Sequence, residues 1–143
     1  YDDAIERHQL ALLNTVIKKA KESERAYTCL KMAWIYRGKA ESLPEDTPDR
    51  KEQIQELQNQ EKELLENAYT GFEAAFSKES FPMCGMDEIT VSYLLAELAR
   101  RIGRYEESSR WISRVLTSRE ANERIKNRAR EIKELLNKDM NRA

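Results

Sequence analysis

Leu64-Leu65-Glu66-Asn67-Ala68-Tyr69-Thr70-Gly71-Phe72-Glu73-Ala74-Ala75-Phe76 is the stretch whose reading decides the fold. Its apolar residues recur at intervals of three and four, which places them on one face of an α-helix and not on alternate sides of a strand. Within it, Ala68, Phe72 and Ala75 form a small–large–small triplet at x, x+4 and x+7. The small residues let a neighbouring helix approach, and the large one fills the space between. Upstream, the helical pattern runs back to Thr47-Pro48, which reads as an N-cap followed by proline at the first helical position. A helix is therefore expected over 48–76. Between Gln53 and Glu63 its only apolar residues are Ile54 and Leu57, too few for a coiled-coil seam. Residues 41–60 thus read as a polar insertion and a protruding helix start.

Five more helices follow from the same periodicity. One spans about 3–20, with Asp2 and Asp3 at its N-terminus and a stripe of Ile5, Leu12, Val16 and Ala20. A second spans about 24–40, capped by Ser23, with Ala26, Leu30, Ala33 and Trp34 at helical spacing. After the loop 77–86, Asp87 caps a helix over 88–102. Gly103 stops that helix in a left-handed conformation. The last two span about 105–117 and 121–140. The final one carries Ala121, Ile125, Ala129, Ile132 and Leu136 as its buried stripe. Composition agrees: four glycines, three prolines and three valines in 143 residues exclude a turn-rich all-β protein. The fold class is all-α, with about six helices.

The triplet recurs. A weaker copy is Ala4, His8, Ala11, and a third is Ser108, Ile112, Val115, preceded by Ala96 and the turn Gly103-Arg104-Tyr105. This pattern resembles a degenerate tetratricopeptide array. The resemblance implies one domain over 1–143, a right-handed array of antiparallel helix pairs. The first helix would be the second half of a repeat whose partner lies upstream of Tyr1. The chain is therefore expected to be a C-terminal fragment of a longer protein, with its last helix covering the end of the array.

Five words resemble a bacterial family, Domain of Unknown Function 2225. They are Tyr1-Asp2-Asp3-Ala4-Ile5-Glu6-Arg7, Lys31-Met32-Ala33-Trp34-Ile35-Tyr36-Arg37 and Phe81-Pro82-Met83-Cys84-Gly85-Met86-Asp87-Glu88. The others are Glu97-Leu98-Ala99-Arg100-Arg101-Ile102-Gly103 and Trp111-Ile112-Ser113-Arg114-Val115. The resemblance implies a Cys-rich, zinc-ribbon-like segment before the helical region. The present sequence does not contain that segment, so no zinc site is expected. The resemblance implies no activity.

Charge is uneven. The net charge is −1, but residues 41–79 carry −7 and residues 100–143 carry +6. Solvated mixed-charge faces account for most of this. Arg114, Arg119, Arg124, Lys126, Arg128 and Arg130 are cations of the kind that contact phosphate backbone, but Glu120, Glu123, Glu131 and Glu134 dilute their field. No apolar run approaches the ~18 residues of a membrane span. Cys29 and Cys84 make neither a metal site nor a disulfide framework, and a cytoplasmic location is expected. His8 is the only histidine and has no partner set for catalysis. Gly-rich phosphate loops and nucleophile elbows are missing from the sequence. No enzyme, cofactor or metal is expected.

In tetratricopeptide arrays the first helices of successive pairs line a concave groove. Transferred to this sequence, that geometry points Tyr27, Leu30, Trp34 and Arg37 inward from one helix. Thr90, Tyr93, Glu97, Arg100 and Arg101 point inward from another. Aromatic rings beside guanidinium groups suit a partner peptide or helix. The competing reading makes Trp34 and Tyr93 ordinary core and pairs the arginines with neighbouring acids. Phe81, Cys84 and Asp87 mark the loop as a candidate binding or switch segment, against a reading in which Phe81, Met83 and Met86 simply plug the core. The function expected is a non-catalytic interaction module for a protein or peptide, with a homodimer through an exposed helix face as a further expectation. The alternative is a nucleic-acid-associated regulator using the basic C-terminal helices.

Overall fold

Ser23 does not cap the helix it was expected to start. It lies inside the first turn of α1, Glu22–Glu41, and both its hydroxyl and its backbone N–H donate to the Glu79 carboxylate, the latter at 3.0 Å. Lys21 takes the N-cap position. A carboxylate from a distant turn thus satisfies an otherwise orphan helix N–H and complements the positive helix end. This contact is seen in a computed structural model that describes residues 21–142. The helix expected over 3–20, with His8 and the Ala4, His8, Ala11 triplet, lies outside the described residues.

Helix α2 spans Arg50–Lys78 and runs antiparallel to α1, since Ser23 meets Glu79 at one end and Arg37 meets Glu61 at the other. Its start departs from the expectation at Thr47-Pro48. The Thr47 N–H closes a turn on the Pro44 carbonyl, and Asp49 is the N-cap, in the left-handed conformation that Asp tolerates. The Gln53 side chain then donates to the Pro48 carbonyl. Ile54 and Leu57 are half-buried, so one edge of the polar half of α2 contributes to packing while its outer face is solvated.

Helices α3, Glu88–Arg101, and α4, Tyr105–Thr117, form a second hairpin. Its corner follows from local sequence. Asp87 accepts a hydrogen bond from the Thr90 N–H at 2.8 Å, the expected N-cap. Gly103 has φ +85°, its N–H donates to the Arg100 carbonyl, and the Arg104 N–H donates to the Ala99 carbonyl at 2.8 Å. Those two bonds together are the Schellman closure that a left-handed glycine permits. Helix α5, Glu123–Arg142, begins two residues later than expected, because the Asn122 side chain accepts from the Ile125 N–H.

Helix α2 packs on α3, and α5 lies against α4 and α3. The protein is all-α, with five helices among the described residues. Two apolar clusters hold them. The first joins Ala26, Leu30, Leu65, Phe72, Ala75, Met83 and Leu95; the second joins Ala96, Ile112, Val115, Ala129, Ile132 and Leu136. Trp111 touches both, stacks edge-on to Phe76 at 4.9 Å, and donates its indole N–H to the Tyr69 hydroxyl at 3.1 Å.

Both described triplets sit in the core. Ala68, Phe72, Ala75, Ser108, Ile112 and Val115 are buried, as is Ala96. The buried Ser108 hydroxyl donates to the Ala96 carbonyl at 2.7 Å, so the hydroxyl is satisfied at a position where only a small side chain fits. Gly71 marks another close approach: a Cβ there would lie 2.8 Å from the Ala26 Cβ.

Candidate functional site

Helix α1 puts Trp34 and Arg37 one turn apart on the same side, and their environments differ. Trp34 is 49% exposed and Ile35 58% exposed. Arg37 donates to the Glu61 carboxylate through two nitrogens, the Nε contact at 2.9 Å. From α3, Arg100 is held by Glu97 and by Asp139 of α5, each at 2.8 Å, and Arg101 donates to Glu97. The Arg100 side chain is only 13% exposed. Two carboxylates therefore fix its fork, and it clasps α3 to α5.

The arginines converge, whereas Trp34 and Glu97 are not among the residues that line their groove. Arg37, Arg100 and Arg101 line one open groove of about 440 Å³ with Glu61, Lys62 and Asp139. Lys62 makes no ion pair among the described residues, so the groove offers Lys62 and the rim guanidinium of Arg101 as its most accessible cations. Tyr27 and Tyr93 are not brought to this groove. Tyr27 packs on the first cluster under Lys31, whose ammonium lies 4.6 Å from the ring centre. Tyr93 packs on the second cluster, where burial pushes its phenol up from the ordinary value. Leu30 is buried in the first cluster.

The loop between α2 and α3 is tied down at each expected residue. Phe81 packs edge-on against Phe76 at 5.4 Å, and Phe81–Pro82 is a cis peptide. Met83 is buried and exchanges two backbone hydrogen bonds with Met86 around Cys84 and Gly85. The Cys84 Sγ donates to the Ser23 carbonyl at 3.5 Å, and burial first, then Glu24 and Glu79, push its thiol up against the lowering effect of that bond. The thiol stays protonated at neutral pH, which disfavours nucleophilic chemistry there. Hydrogen bonds from the first turn of α3 hold the Asp87 carboxyl below its ordinary range.

A second cleft had no counterpart in the sequence reading. It holds about 240 Å³ between α2 and α4 and is lined by Tyr69, Glu73, Glu107, Arg110, Trp111 and Arg114. Tyr69 is fully buried, and its hydroxyl donates to Glu73 at 3.1 Å while accepting from Trp111. Burial, with Glu107 and Glu73 nearby, drives its phenol up. The i, i+3, i+4, i+7 spacing of Glu107, Arg110, Trp111 and Arg114 was the available signal for a shared face. The opposing Tyr69-Glu73 pair comes from a distant helix, which no local pattern announces.

Among the described residues no cluster of His, Cys, Asp and Glu is arranged to hold a metal, and no helix is long and apolar enough to cross a membrane. Fold and site together define an all-helical protein with an open, ion-paired groove. The chain belongs to the family described as "Uncharacterized protein conserved in bacteria (DUF2225)", whose model matches residues 1–136. No curated protein and no solved structure matches it.

Proposed function

We propose that this chain is a non-catalytic, tetratricopeptide-like interaction module that holds a peptide or helix of a partner protein in the groove between α1–α2 and α3–α5. The observation that carries this reading is the convergence of Arg37, Arg100 and Arg101 on one open groove, with half-exposed Trp34 one turn from Arg37. The matching burial of the Ala68, Phe72, Ala75 and Ser108, Ile112, Val115 triplets supports the repeat architecture. Roles divide by exposure. Arg37 and Arg100 are already satisfied by carboxylates, so they shape the groove. Trp34, Lys62 and Arg101 meet the partner: the indole supplies apolar area and the cations select an acidic side chain.

The test is affinity capture from a native bacterial lysate, with and without nuclease, using wild type, Trp34→Ala and Lys62→Glu/Arg101→Glu. A defined protein that survives nuclease and is lost with both variants is the expected result. Recovery only of nuclease-sensitive material, unchanged by the variants, overturns the groove and favours the basic C-terminal helices.

A further inference from the structure

The cleft between α2 and α4 lies apart from the groove, and its charges are arranged differently. Arg104 lies 3.7 Å from Glu107 and stacks over Tyr69, and Arg114 pairs with Glu88 while stacking on Phe76. Those two cations are compensated. Arg110 makes no ion pair among the described residues. On the acidic side, Glu73 is exposed and takes only the Tyr69 hydroxyl. The Glu107 Oε2 atom is buried and receives no hydrogen bond, since Arg104 stands beyond bonding distance. That oxygen is closed to solvent beside Arg104, so a guest meets Glu107 only through the part of its side chain that lines the cleft.

The cleft is therefore lined by two carboxylates and by one guanidinium that makes no ion pair, beside the Trp111 indole and the Tyr69 hydroxyl. At about 240 Å³ it is smaller than the ~300–1,000 Å³ of sites for drug-sized ligands. A lone anion meets Glu73 and Glu107, and a lone cation meets Arg110. A guest with both charges a few bonds apart answers both.

We propose that this cleft binds a small zwitterion of the α-amino-acid type, its ammonium between Glu73 and Glu107 and its carboxylate on Arg110. The guest's side chain lies against Trp111. Arg114 and Tyr69 act as walls. The site is independent of the groove proposed above.

The test is titration of the chain in a Trp34→Phe background, so that fluorescence reports Trp111 alone. The probes are the common L-amino acids, each with its N-acetyl and its amide derivative. A saturable change with at least one free amino acid is expected. Loss of affinity of about tenfold or more is expected with Glu73→Gln, with Arg110→Gln and with either blocked derivative. Both variants alter exposed side chains, and far-UV circular dichroism checks that each remains folded. Absence of saturable binding up to roughly 10 mM overturns the proposal. Equal binding of the blocked derivatives also overturns it, because it reduces the cleft to an apolar contact.

Discussion

Gly71 sits in the interior of α2, where replacing glycine by alanine ordinarily stabilises a helix by about 1 kcal/mol. The packing reverses that expectation. A Cβ at position 71 would stand 2.8 Å from the Ala26 Cβ and 3.5 Å from the Ala26 Cα. The obstacle is the root of a buried alanine, which has no rotamer to yield, so α1 and α2 must separate. Overpacking of this kind costs roughly 1–3 kcal/mol. Set against the propensity term, Gly71→Ala should destabilise the protein by ~0–2 kcal/mol. Urea unfolding followed by circular dichroism measures this directly. Ala26→Gly removes the opposing methyl, and in that background Gly71→Ala should stabilise by about 1 kcal/mol. The double-mutant cycle should thus show a coupling of ~1–3 kcal/mol between two residues whose helices cross there. If Gly71→Ala stabilises equally in both backgrounds, the helices are not in contact at this point and the α1–α2 register is wrong.

Three further outcomes follow from single contacts. Phe72→Ala, at a fully buried site between two alanines, should cost about 3–5 kcal/mol in the same urea assay. Arg100→Met should cost ~1.5–3 kcal/mol, since it strands Asp139 and leaves Glu97 to Arg101 alone, and Arg100→Lys should recover only part because an ammonium cannot fork to both. Asp87→Ala should cost about 0.5–1 kcal/mol at neutral pH, with Asp87→Asn close to wild type. Because folding lowers the Asp87 pKa, its contribution is complete above the unfolded value of roughly 3.9 and is lost as pH falls through the folded value. The wild-type and Asp87→Ala stabilities should converge in acid, and a gap that stays constant down to that range would remove Asp87 as the cap.

What the sequence disclosed, and what it did not, divides along sequence separation. Asp87 and Gly103 announce their roles because a cap and a Schellman closure bond residues three to five positions apart. The triplets were legible for a related reason: burial of Ala68, Phe72 and Ala75 is a property of one helix face. The contacts that escaped reading are those in which a side chain chooses among many chemically equal partners on another helix. Glu79 caps α1 from 56 residues away, Asp139 holds Arg100 from 39, and Tyr69 meets Trp111 across 42. With twenty glutamates available, composition gives no preference for Glu79 over its neighbours. Helix crossing supplies the choice. Arginines that read as free recognition groups are therefore partly consumed as structural clasps. Arg100 is fixed by two acids that only the tertiary fold brings to it, whereas Lys62 and Arg110, unremarkable in sequence, are left with their charges available. Under the functions proposed above, recognition rests on the cations that folding leaves over, and charge reversal at Lys62 or Arg110 should alter binding while leaving the unfolding free energy within the ±0.5 kcal/mol or so of ordinary surface changes.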